Sequence, residues 1–495
     1  MAAAEGTVKS MERKLYIDGA WADAADGKRI AIADPATGAP VGSSALASRK
    51  DVDRAVEAAA KALPAWADTH PDQRARILHR AADLIAERVD AIAETLTREQ
   101  GKPVPDAKKE ILFGVEVIRF YAEEGRRLGG SIRPSSRHDI RNLVSTAPVG
   151  VVGGIVPWNY PVDLYAWKVG PVLAAGCTLV VKPPHETPLA IGQVVECFAE
   201  AGLPAGVLND LPGTGPEVGA ALAEHPGIRM ISATASVPAG QSIMRAAASN
   251  LKRLSLELGG QCPFIVLDDA DPQEAAAAAA RRSFSNMGQI CIAVNRILVS
   301  RGIHEAFAEA LVEETRKIKL GHGVEPGVLY GPVLNESVRT RVTTHLEDAV
   351  RRGGKLLRGG GQPKGGAYDK GFFFNPAVVD EVPDDALALT EETFGPLAAI
   401  RPVDDDAEAL QVANALPFGL AAYVYSGDLE RAWSLAERIE AGAIGVNVND
   451  TSELQAPFGG WKMSGIGREL GREGIEAFRE TRHLKIRVRD RTSRA

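Results

Sequence analysis

The stretch GVVGGIVPWNYPVDLYAWKVGPVLAAGCTLVVK, residues 150–182, decides the fold. It begins with an apolar run, continues through a segment of helical character and ends on a second apolar run rich in valine. Continuous apolar runs of this length are typical of parallel strands that are buried on both faces. Similar runs follow at residues 206–211, 228–232 and 251–258. This alternation predicts a doubly wound α/β domain with a parallel sheet.

A second alternating region follows, with predicted strands at residues 263–269, 296–300, 398–403 and 442–449. We therefore predict two α/β domains. Before them, a short β segment near residues 14–21 leads into helices. Apolar residues at helical spacing mark one buried face in that helical part: Ile77, Ala81, Leu84, Ile85, Val89, Ile92 and Leu96.

Composition excludes several classes of protein. The chain has 495 residues, 45% of them hydrophobic and 24% charged, and a net charge of −7. The negative charge argues against a nucleic-acid or anionic-membrane partner. Four cysteines do not make a disulfide framework, and no CxxC or HExxH pattern indicates a metal. Without a signal peptide or an 18-residue apolar run, we expect a cytoplasmic protein.

One cysteine stands apart from the other three. Cys177, Cys197 and Cys262 lie in apolar runs and resemble packing residues. Cys291 follows a glycine and a glutamine in SFSNMGQICIAVNR, residues 283–296. From this stretch alone, Cys291 is either a nucleophile or a fourth packing residue.

Two further motifs carry groups that a nucleophilic cysteine needs. Asn159 lies between two prolines in VPWNYP, where its amide is either an oxyanion donor or a helix cap. Glu257 ends an apolar strand before Gly259 and Gly260, as either a base with a raised pKa or an exposed strand end. Together the three residues fit one reaction: a thiolate adds to a carbonyl, an amide holds the oxyanion, and a carboxylate activates water.

The chain from about residue 15 to 485 resembles the NAD(P)-dependent aldehyde dehydrogenase family. The resemblance rests on PWNYP, VVKPPHETP, LELGG, NMGQICIAVNR, EETFGP and APFGGWKMSGIGRELG, which occur in the family's order. It implies an NAD(P)-binding domain (1–128 and 149–259), a catalytic domain (260–462) and a small β oligomerisation arm (129–148 and 475–495). It also implies a homodimer or homotetramer.

By this resemblance Cys291 is the nucleophile, Asn159 and the Cys291 main-chain N–H form the oxyanion hole, and Glu257 activates the water that releases a free acid. The resemblance places these residues at NAD or NADP: Pro157, Trp158, Lys182, His185, Ser236, Gly240, Glu392 and Phe394. The stretch GTGPEVG, residues 213–219, comes near GxGxxG, but its third glycine is one residue late, so by itself it is either a turn or a phosphate-binding loop.

Two departures concern the cofactor. The family's usual glutamate three residues after the lysine is His185 here, which removes a repulsion against a 2′-phosphate. We therefore expect NADP⁺ to be accepted, although Glu186 could restore a preference for NAD⁺. The family's Gly-Ser pair is Ala235-Ser236, so we expect the pyrophosphate to shift slightly.

A third departure concerns the substrate. The succinate-semialdehyde subgroup binds a carboxylate with arginines at the positions of Trp167 and Ser285, and the betaine-aldehyde subgroup has tryptophans at Ser285 and Phe458. The predicted pocket is mostly apolar: Tyr160, Leu164, Trp167, Ser285, Ile290, Ile292, Glu453 and Phe458. It favours an apolar or aromatic aldehyde. Asp163 or Glu453 could instead meet a cationic tail. A cysteine hydrolase or acyltransferase without nicotinamide is the alternative of another class.

Overall fold

The computed structural model describes residues 11–488. Its N-terminal part holds five short strands and four long helices: β1 (Met11–Arg13), β2 (Leu15–Ile17), β3 (Ala20–Ala22), β4 (Arg29–Ala33), β5 (Pro40–Ala45), α1 (Arg49–Asp68), α2 (Pro71–Glu87), α3 (Val89–Gln100) and α4 (Val104–Arg126). The apolar face predicted across Ile77 to Leu96 is divided between α2 and α3, because the helix is interrupted at Arg88. Most of that face is buried.

The next part alternates strands and helices as the opening stretch predicts. Its elements are β6 (Ser131–Arg133), β7 (Ile140–Pro148), β8 (Val151–Ile155), α5 (Pro161–Ala174), β9 (Thr178–Lys182), α6 (Leu189–Glu200), β10 (Leu208–Asp210), α7 (Ala220–Glu224), β11 (Met230–Thr234), α8 (Val237–Ala247) and β12 (Arg253–Glu257). β8, β9 and β11 are buried at every residue, as their continuous apolar runs require.

The C-terminal part builds a second sheet and closes the chain. Its elements are β13 (Cys262–Val266), α9 (Pro272–Phe284), β14 (Val294–Ser300), α10 (His304–Arg316), α11 (Glu336–Arg351), β15 (Lys355–Arg358), β16 (Ala377–Asp380), α12 (Leu387–Thr390), β17 (Leu397–Val403), α13 (Asp406–Asn414), β18 (Phe418–Gly419), β19 (Ala421–Tyr425), α14 (Leu429–Ala436), β20 (Ala443–Val446), β21 (Trp461–Lys462), β22 (Gly465–Ile466), α15 (Gly471–Glu476) and β23 (Arg479–Arg487).

The first large sheet has eight strands in the order β22-β12-β11-β8-β9-β10-β2-β3. The five central strands are parallel, and antiparallel strands cover both edges. From β8 the chain moves outward to β9 and β10, then returns to β11 on the other side. The topological switch point therefore lies between β8 and β11, where doubly wound sheets bind nucleotides beyond the carboxyl ends of the strands.

The second large sheet has seven strands in the order β15-β16-β17-β14-β13-β19-β20, all parallel except β15. A separate three-stranded sheet pairs β23 with β7 and β7 with β6. The predicted class, two doubly wound α/β units, is confirmed. Among residues 11–488, no helix combines the length and the apolarity that a membrane span requires.

Candidate active site

One cavity of about 610 Å³ is lined by residues at the ends of β11 and β12, by residues of α4, α5 and α9, and by loops beside the second large sheet. Residues of the predicted site that line it are Cys291, Glu257, Asn159, Tyr160, Leu164, Trp167, Ser285, Ile290, Ile292 and Phe458. Glu453 is not brought to the cavity: its side chain is exposed, where its charge stays hydrated, and the neighbouring Ser452 lines the wall instead. Asp163 does line the cavity.

Cys291 lies in the loop between α9 and β14. Three consecutive residues before it, Asn286, Met287 and Gly288, have φ values of 49°, 58° and 69°. At Gly288 a Cβ atom would lie 2.2 Å from the Gly395 carbonyl oxygen, so only glycine fits. This left-handed turn directs Cys291 into the cavity, and it is the one cysteine that is not fully buried. Burial raises the pKa of its thiol, and nearby Cys262 adds to the rise.

Asn159 follows β8 and is 4% exposed. Its side-chain amide donates to the Gln289 carbonyl oxygen at 3.1 Å, which aims the amide at the backbone beside Cys291. The main-chain carbonyl oxygen of Asn159 accepts hydrogen bonds from Asn286 Nδ2 at 2.9 Å and from Lys102 Nζ at 2.8 Å. The main chain and the side-chain amide of Asn159 are thus each held by hydrogen bonds, which fixes the amide as an oxyanion donor requires.

Asn286 and Lys102 were not predicted, although both help to hold Asn159. Asn286 is tied in turn to Gln100, whose Nε2 donates to Asn286 Oδ1 at 3.1 Å. Asn286 could have been singled out from the sequence because it lies only five residues before Cys291, in the same motif. Lys102 gave no local signal, because 57 residues separate it from Asn159.

Glu257 is the last residue of β12 and is 3% exposed. Neither of its carboxylate oxygens has a hydrogen-bond partner among residues 11–488. Gly459 leaves room for it, since a Cβ there would lie 2.8 Å from Glu257 Oε1. Desolvation, followed by the neighbouring Glu469, raises the pKa of this carboxyl well above its usual range. A buried carboxyl on a cavity wall with no partner is a candidate base for water.

A buried lysine lies near Glu257 and partly opposes that rise. Lys168 is 0% exposed, and its ammonium donates to Thr234 Oγ1 at 2.7 Å and to Glu469. The Ser232 hydroxyl also donates to Glu469 at 3.3 Å. Lys168 and Glu469 were not predicted from the sequence, although a lysine in the middle of the largely apolar helix α5 was a usable signal.

The crevice at the switch point fits the pyrophosphate of a dinucleotide. Pro157 and Trp158 follow β8, and Ser236 begins α8 directly after β11. The Ser236 hydroxyl makes no cap hydrogen bond, and the first turn of α8 carries no acidic residue. A hydroxyl and N–H groups without a competing carboxylate suit an anion. At Gly240 a Cβ would lie 2.5 Å from the Leu258 side chain, so glycine lets α8 approach the sheet.

Lys182 and His185, two further predicted cofactor residues, lie at the end of β9 and in the loop that follows it. Lys182 ends β9, is buried, and donates to the Pro183 and Gly213 carbonyl oxygens at 3.1 and 3.2 Å; burial lowers its pKa to about 8. His185 Nδ1 lies 3.1 Å from Glu186 Oε2. Burial likewise lowers the pKa of His185.

Glu392 and Phe394 lie on the other side, near Gly259 and Trp158. Glu392 accepts from the Gly260 N–H at 3.3 Å, and desolvation raises the pKa of its carboxyl to about 7. Phe394, at φ 50°, packs edge-on against Trp158 with ring centroids 5.4 Å apart. A Cβ at Gly259 would lie 2.3 Å from Glu392, so this corner admits only glycine.

The doubly wound fold thus brings a cysteine, an amide and a carboxylate to one cavity at the carboxyl ends of its strands, where such folds bind nucleotides. The sequence model described as the aldehyde dehydrogenase family matches residues 21–484. The chain belongs to this family and is an NAD(P)-dependent aldehyde dehydrogenase, as its motifs indicated.

Similar curated proteins cover almost the whole chain. The glutarate-semialdehyde dehydrogenase of Pseudomonas putida is 41% identical over 96% of this chain and 98% of its own length. The NADP⁺-dependent succinate-semialdehyde dehydrogenase of Escherichia coli is 40% identical over the same shares. In structure, the betaine aldehyde dehydrogenase of Staphylococcus aureus in complex with NAD⁺ is 33% identical, with a TM-score of 0.94 over 97% of this chain and 95% of the other.

Proposed function

We propose that the enzyme oxidises an apolar or aromatic aldehyde to its carboxylic acid through a thioester on Cys291. The observation that carries this proposal is the convergence of Cys291, Asn159 and Glu257 on one cavity wall. Nucleophile, oxyanion donor and base are each placed by a different element of the fold. A cysteine that served only in packing would need neither of the other two.

In the proposed reaction the Cys291 thiol loses its proton, and the sulfur adds to the aldehyde carbon. The amide of Asn159 and the Cys291 N–H hold the resulting oxyanion. Ser236, Glu392 and Phe394 would help to hold a nicotinamide dinucleotide, which would supply the hydride acceptor. Loss of hydride from that carbon would re-form the carbonyl as a thioester. Glu257 takes a proton from water, and the hydroxide displaces the Cys291 sulfur to give the acid. The balance is one aldehyde, one NAD(P)⁺ and one water to one acid, one NAD(P)H and one proton.

The presence of Glu257 also bears on whether the thioester is hydrolysed or passed to coenzyme A. Family members that pass their acyl group to coenzyme A lack a glutamate at the position of Glu257, so its presence supports hydrolysis to a free acid. Release of carboxylic acid without added coenzyme A is the expected result. An absolute need for coenzyme A would contradict it.

The apolar part of the wall supports an apolar or aromatic aldehyde. Trp167 and Phe458 pack edge-on with ring centroids 5.3 Å apart, and Leu164 and Ile292 are buried beside the same cavity. Apolar surface of this kind gains free energy when it contacts an apolar group, roughly 25 cal/mol per Å² removed from water. The segment next to the aldehyde carbon would be an aromatic ring or a short alkyl chain.

The same wall does not favour a quaternary or primary amine. Lys102 Nζ already lies 3.8 Å from the centre of the Tyr160 ring, so the chain's own cation covers one face of that ring. Asp163 accepts from Trp167 Nε1 at 2.7 Å, and burial raises the pKa of Asp163 well above its usual range. A carboxyl whose charged form is disfavoured by burial gives a cationic tail little to pair with.

A second candidate is an aldehyde with a distal carboxylate. It is favoured by the similarity to the glutarate-semialdehyde dehydrogenase of Pseudomonas putida and the succinate-semialdehyde dehydrogenase of Escherichia coli. Trp167 and Ser285 occupy the positions where that subgroup has arginines. Any carboxylate would therefore have to be bound by another residue.

A panel of aldehydes tests the proposal. Benzaldehyde, hexanal, succinic semialdehyde and betaine aldehyde would each be mixed with enzyme and with NAD⁺ or NADP⁺, and NAD(P)H absorbance followed. We expect reduction with benzaldehyde and hexanal and little with betaine aldehyde. A preference for betaine aldehyde would contradict the apolar wall. No reduction with any aldehyde, from enzyme that binds the cofactor, would contradict the whole proposal.

We also propose that NADP⁺ is accepted, because a histidine stands where a carboxylate would repel a 2′-phosphate. One carboxylate stays near the site, that of Glu186, and its Oε2 lies 3.1 Å from His185 Nδ1. His185→Glu is expected to raise the KM for NADP⁺ about tenfold while leaving the KM for NAD⁺ nearly unchanged. Saturation with NAD⁺ and no activity with NADP⁺ in the native enzyme would reject this.

Self-association is a further part of the proposal. The sheet of β6, β7 and β23 carries exposed apolar side chains at Ile132, Leu484 and Ile486. Exposed apolar residues along a strand at a sheet edge support pairing with another copy. Sedimentation of the purified protein would show a dimer or tetramer, and a monomer at micromolar concentration would contradict it. The cytoplasmic location stays a prediction.

A further inference from the structure

At the rim of the cavity, most positively charged side chains form ion pairs with carboxylates of the chain. Lys109 Nζ lies 3.1 Å from Asp106 Oδ1, and Arg282 lies 2.7 Å from Asp450 Oδ2. Deeper in the wall, Lys102 pairs with Glu110. Each of these cations thus has a carboxylate of the chain as its partner.

Arg281 is the exception among the cations that line this cavity. It is exposed, and no carboxylate among residues 11–488 lies within 4.0 Å of its guanidinium. The neighbouring Arg282 already pairs with Asp450, so Arg281 does not compete with it for that partner. A guanidinium presents a planar set of donors that matches the two oxygens of a carboxylate.

The place of Arg281 on α9 links it to the substrate path. It lies in the last turn, and its carbonyl oxygen accepts from the Ser285 hydroxyl at 2.7 Å, so the two residues share one helix face. Ser285 is small and lines the cavity between this turn and Cys291. A small residue leaves the space open in which the chain of a substrate would run from Cys291 to the rim.

We propose that Arg281 binds a carboxylate at the far end of the aldehyde substrate. The preferred substrates are then aldehydes whose apolar segment lies along Trp167 and Phe458 and whose carboxylate reaches the rim. This rests on the proposed function and adds one feature to it, a charge-specific subsite at the end of α9. Arg281 is a specificity-determining residue in this view, and it takes no part in the chemistry at Cys291.

Paired substrates and a matched variant test the subsite. Kinetics would be measured for 4-carboxybenzaldehyde and glutaric semialdehyde against 4-methylbenzaldehyde and pentanal, with the native enzyme, Arg281→Gln and Arg281→Lys. Lys109→Gln is the control, because it removes a rim cation that is already paired. Arg281→Gln should raise the KM for the carboxylated aldehydes about tenfold, the scale of one charge-assisted pair, and leave kcat and the neutral aldehydes within about twofold. Arg281→Lys should restore part of the loss.

Three results would overturn the subsite. The first is an equal change for carboxylated and neutral aldehydes in Arg281→Gln. The second is an equal loss in Lys109→Gln, which would mean that the rim acts only through its overall potential. The third is a native enzyme with no preference for a carboxylated aldehyde over its neutral partner, in which case Arg281 serves only the C-terminal end of α9. In each case turnover of neutral aldehydes would leave the proposed function standing.

Discussion

Two regions of the cavity wall each hold a buried glutamate, and their surroundings are opposite. Glu110, in α4, forms an ion pair with Lys102 and accepts a hydrogen bond from the Val162 N–H at 2.9 Å. Near the end of β12, Glu257 has no hydrogen-bond partner among residues 11–488. Both carboxylates have lost their water, but only Glu110 has replaced it with donors from the chain.

The difference separates residues that hold the structure from residues that react. A buried carboxylate with a cation and an N–H as partners is stable in its charged form, and removing it leaves the cation unpaired. A buried carboxylate without partners favours its neutral form, so it can take a proton during a reaction. The sulfur atoms show a similar contrast, since Cys262 is 1% exposed and Cys291 opens onto the cavity.

The largest expected effect comes from the nucleophile. Cys291→Ala should lower kcat by more than about 10³-fold, because no thioester can form. Cys262→Ala, the matched control beside it, should keep kcat within a few fold. The measurement is NAD(P)H formation, with circular dichroism to check the fold of both variants. If both variants lost activity equally while folded, the contrast between the two sulfur atoms would fail.

The two glutamates should give opposite patterns when each is changed to glutamine. Glu257→Gln should lower steady-state kcat about 10²–10⁴-fold through loss of the base, with a Tm equal to or above that of the native enzyme. Glu110→Gln should lower the stability by about 3–5 kcal/mol, because Lys102 loses its buried partner. Its kcat, measured well below its Tm, should fall less than about tenfold.

Rapid mixing refines the test of Glu257. If its role is water activation, Glu257→Gln should still form about one NAD(P)H per active site in a fast burst, as the thioester accumulates unhydrolysed. Normal turnover in Glu257→Gln, or unchanged stability in Glu110→Gln, would contradict the contrast between the two glutamates.

Asn159→Ala should have the next largest effect, a fall in kcat of about 10²–10³-fold through loss of an oxyanion donor. The substrate KM should change much less, because the oxyanion forms only after addition. Asn286→Ala should show a weaker form of the same change, since Asn286 holds Asn159 in place through its carbonyl oxygen. An effect confined to KM in both variants would contradict the oxyanion role.

The smallest expected effect is on pH dependence. Burial raises the pKa of Glu257, so its reactive charged form becomes more populated as pH rises, and thioester hydrolysis should speed up. The folded protein also holds this proton more tightly than the unfolded chain, so Glu257 contributes less stability as pH rises through its raised pKa. Glu257→Gln should remove both trends. Identical pH profiles of deacylation and Tm in the two proteins would show that another group titrates.

The strand pattern was readable from sequence because parallel strands buried on both faces must be apolar throughout. The runs at residues 150–156 and 177–182 became β8 and β9 with little change of bounds. β15 and β16 were not predicted. β15 is exposed at the sheet edge, with alternation too weak to mark it, and β16 is a short buried strand of four residues.

The candidate site divides in the same way. Motif residues close to a strand end, such as Asn159 and Glu257, were predicted, and the structure places both on the cavity. Glu453 was expected there and is exposed, because nothing in the sequence fixes which side of its loop faces the cavity. Lys102, Lys168 and Glu469 act on the site from distant parts of the chain, which local patterns do not connect.

By itself the sequence determined the α/β class, the family and the three residues proposed for the chemistry, because each depends on a local pattern of apolar runs and short motifs. Tertiary structure alone decided which carboxylates are paired. Glu110 and Glu257 are the same residue type and both are buried, and the approach of Lys102 and of the Val162 N–H to Glu110 distinguishes them. Pairing depends on distances of a few ångströms between elements, which the free energy of the whole fold sets.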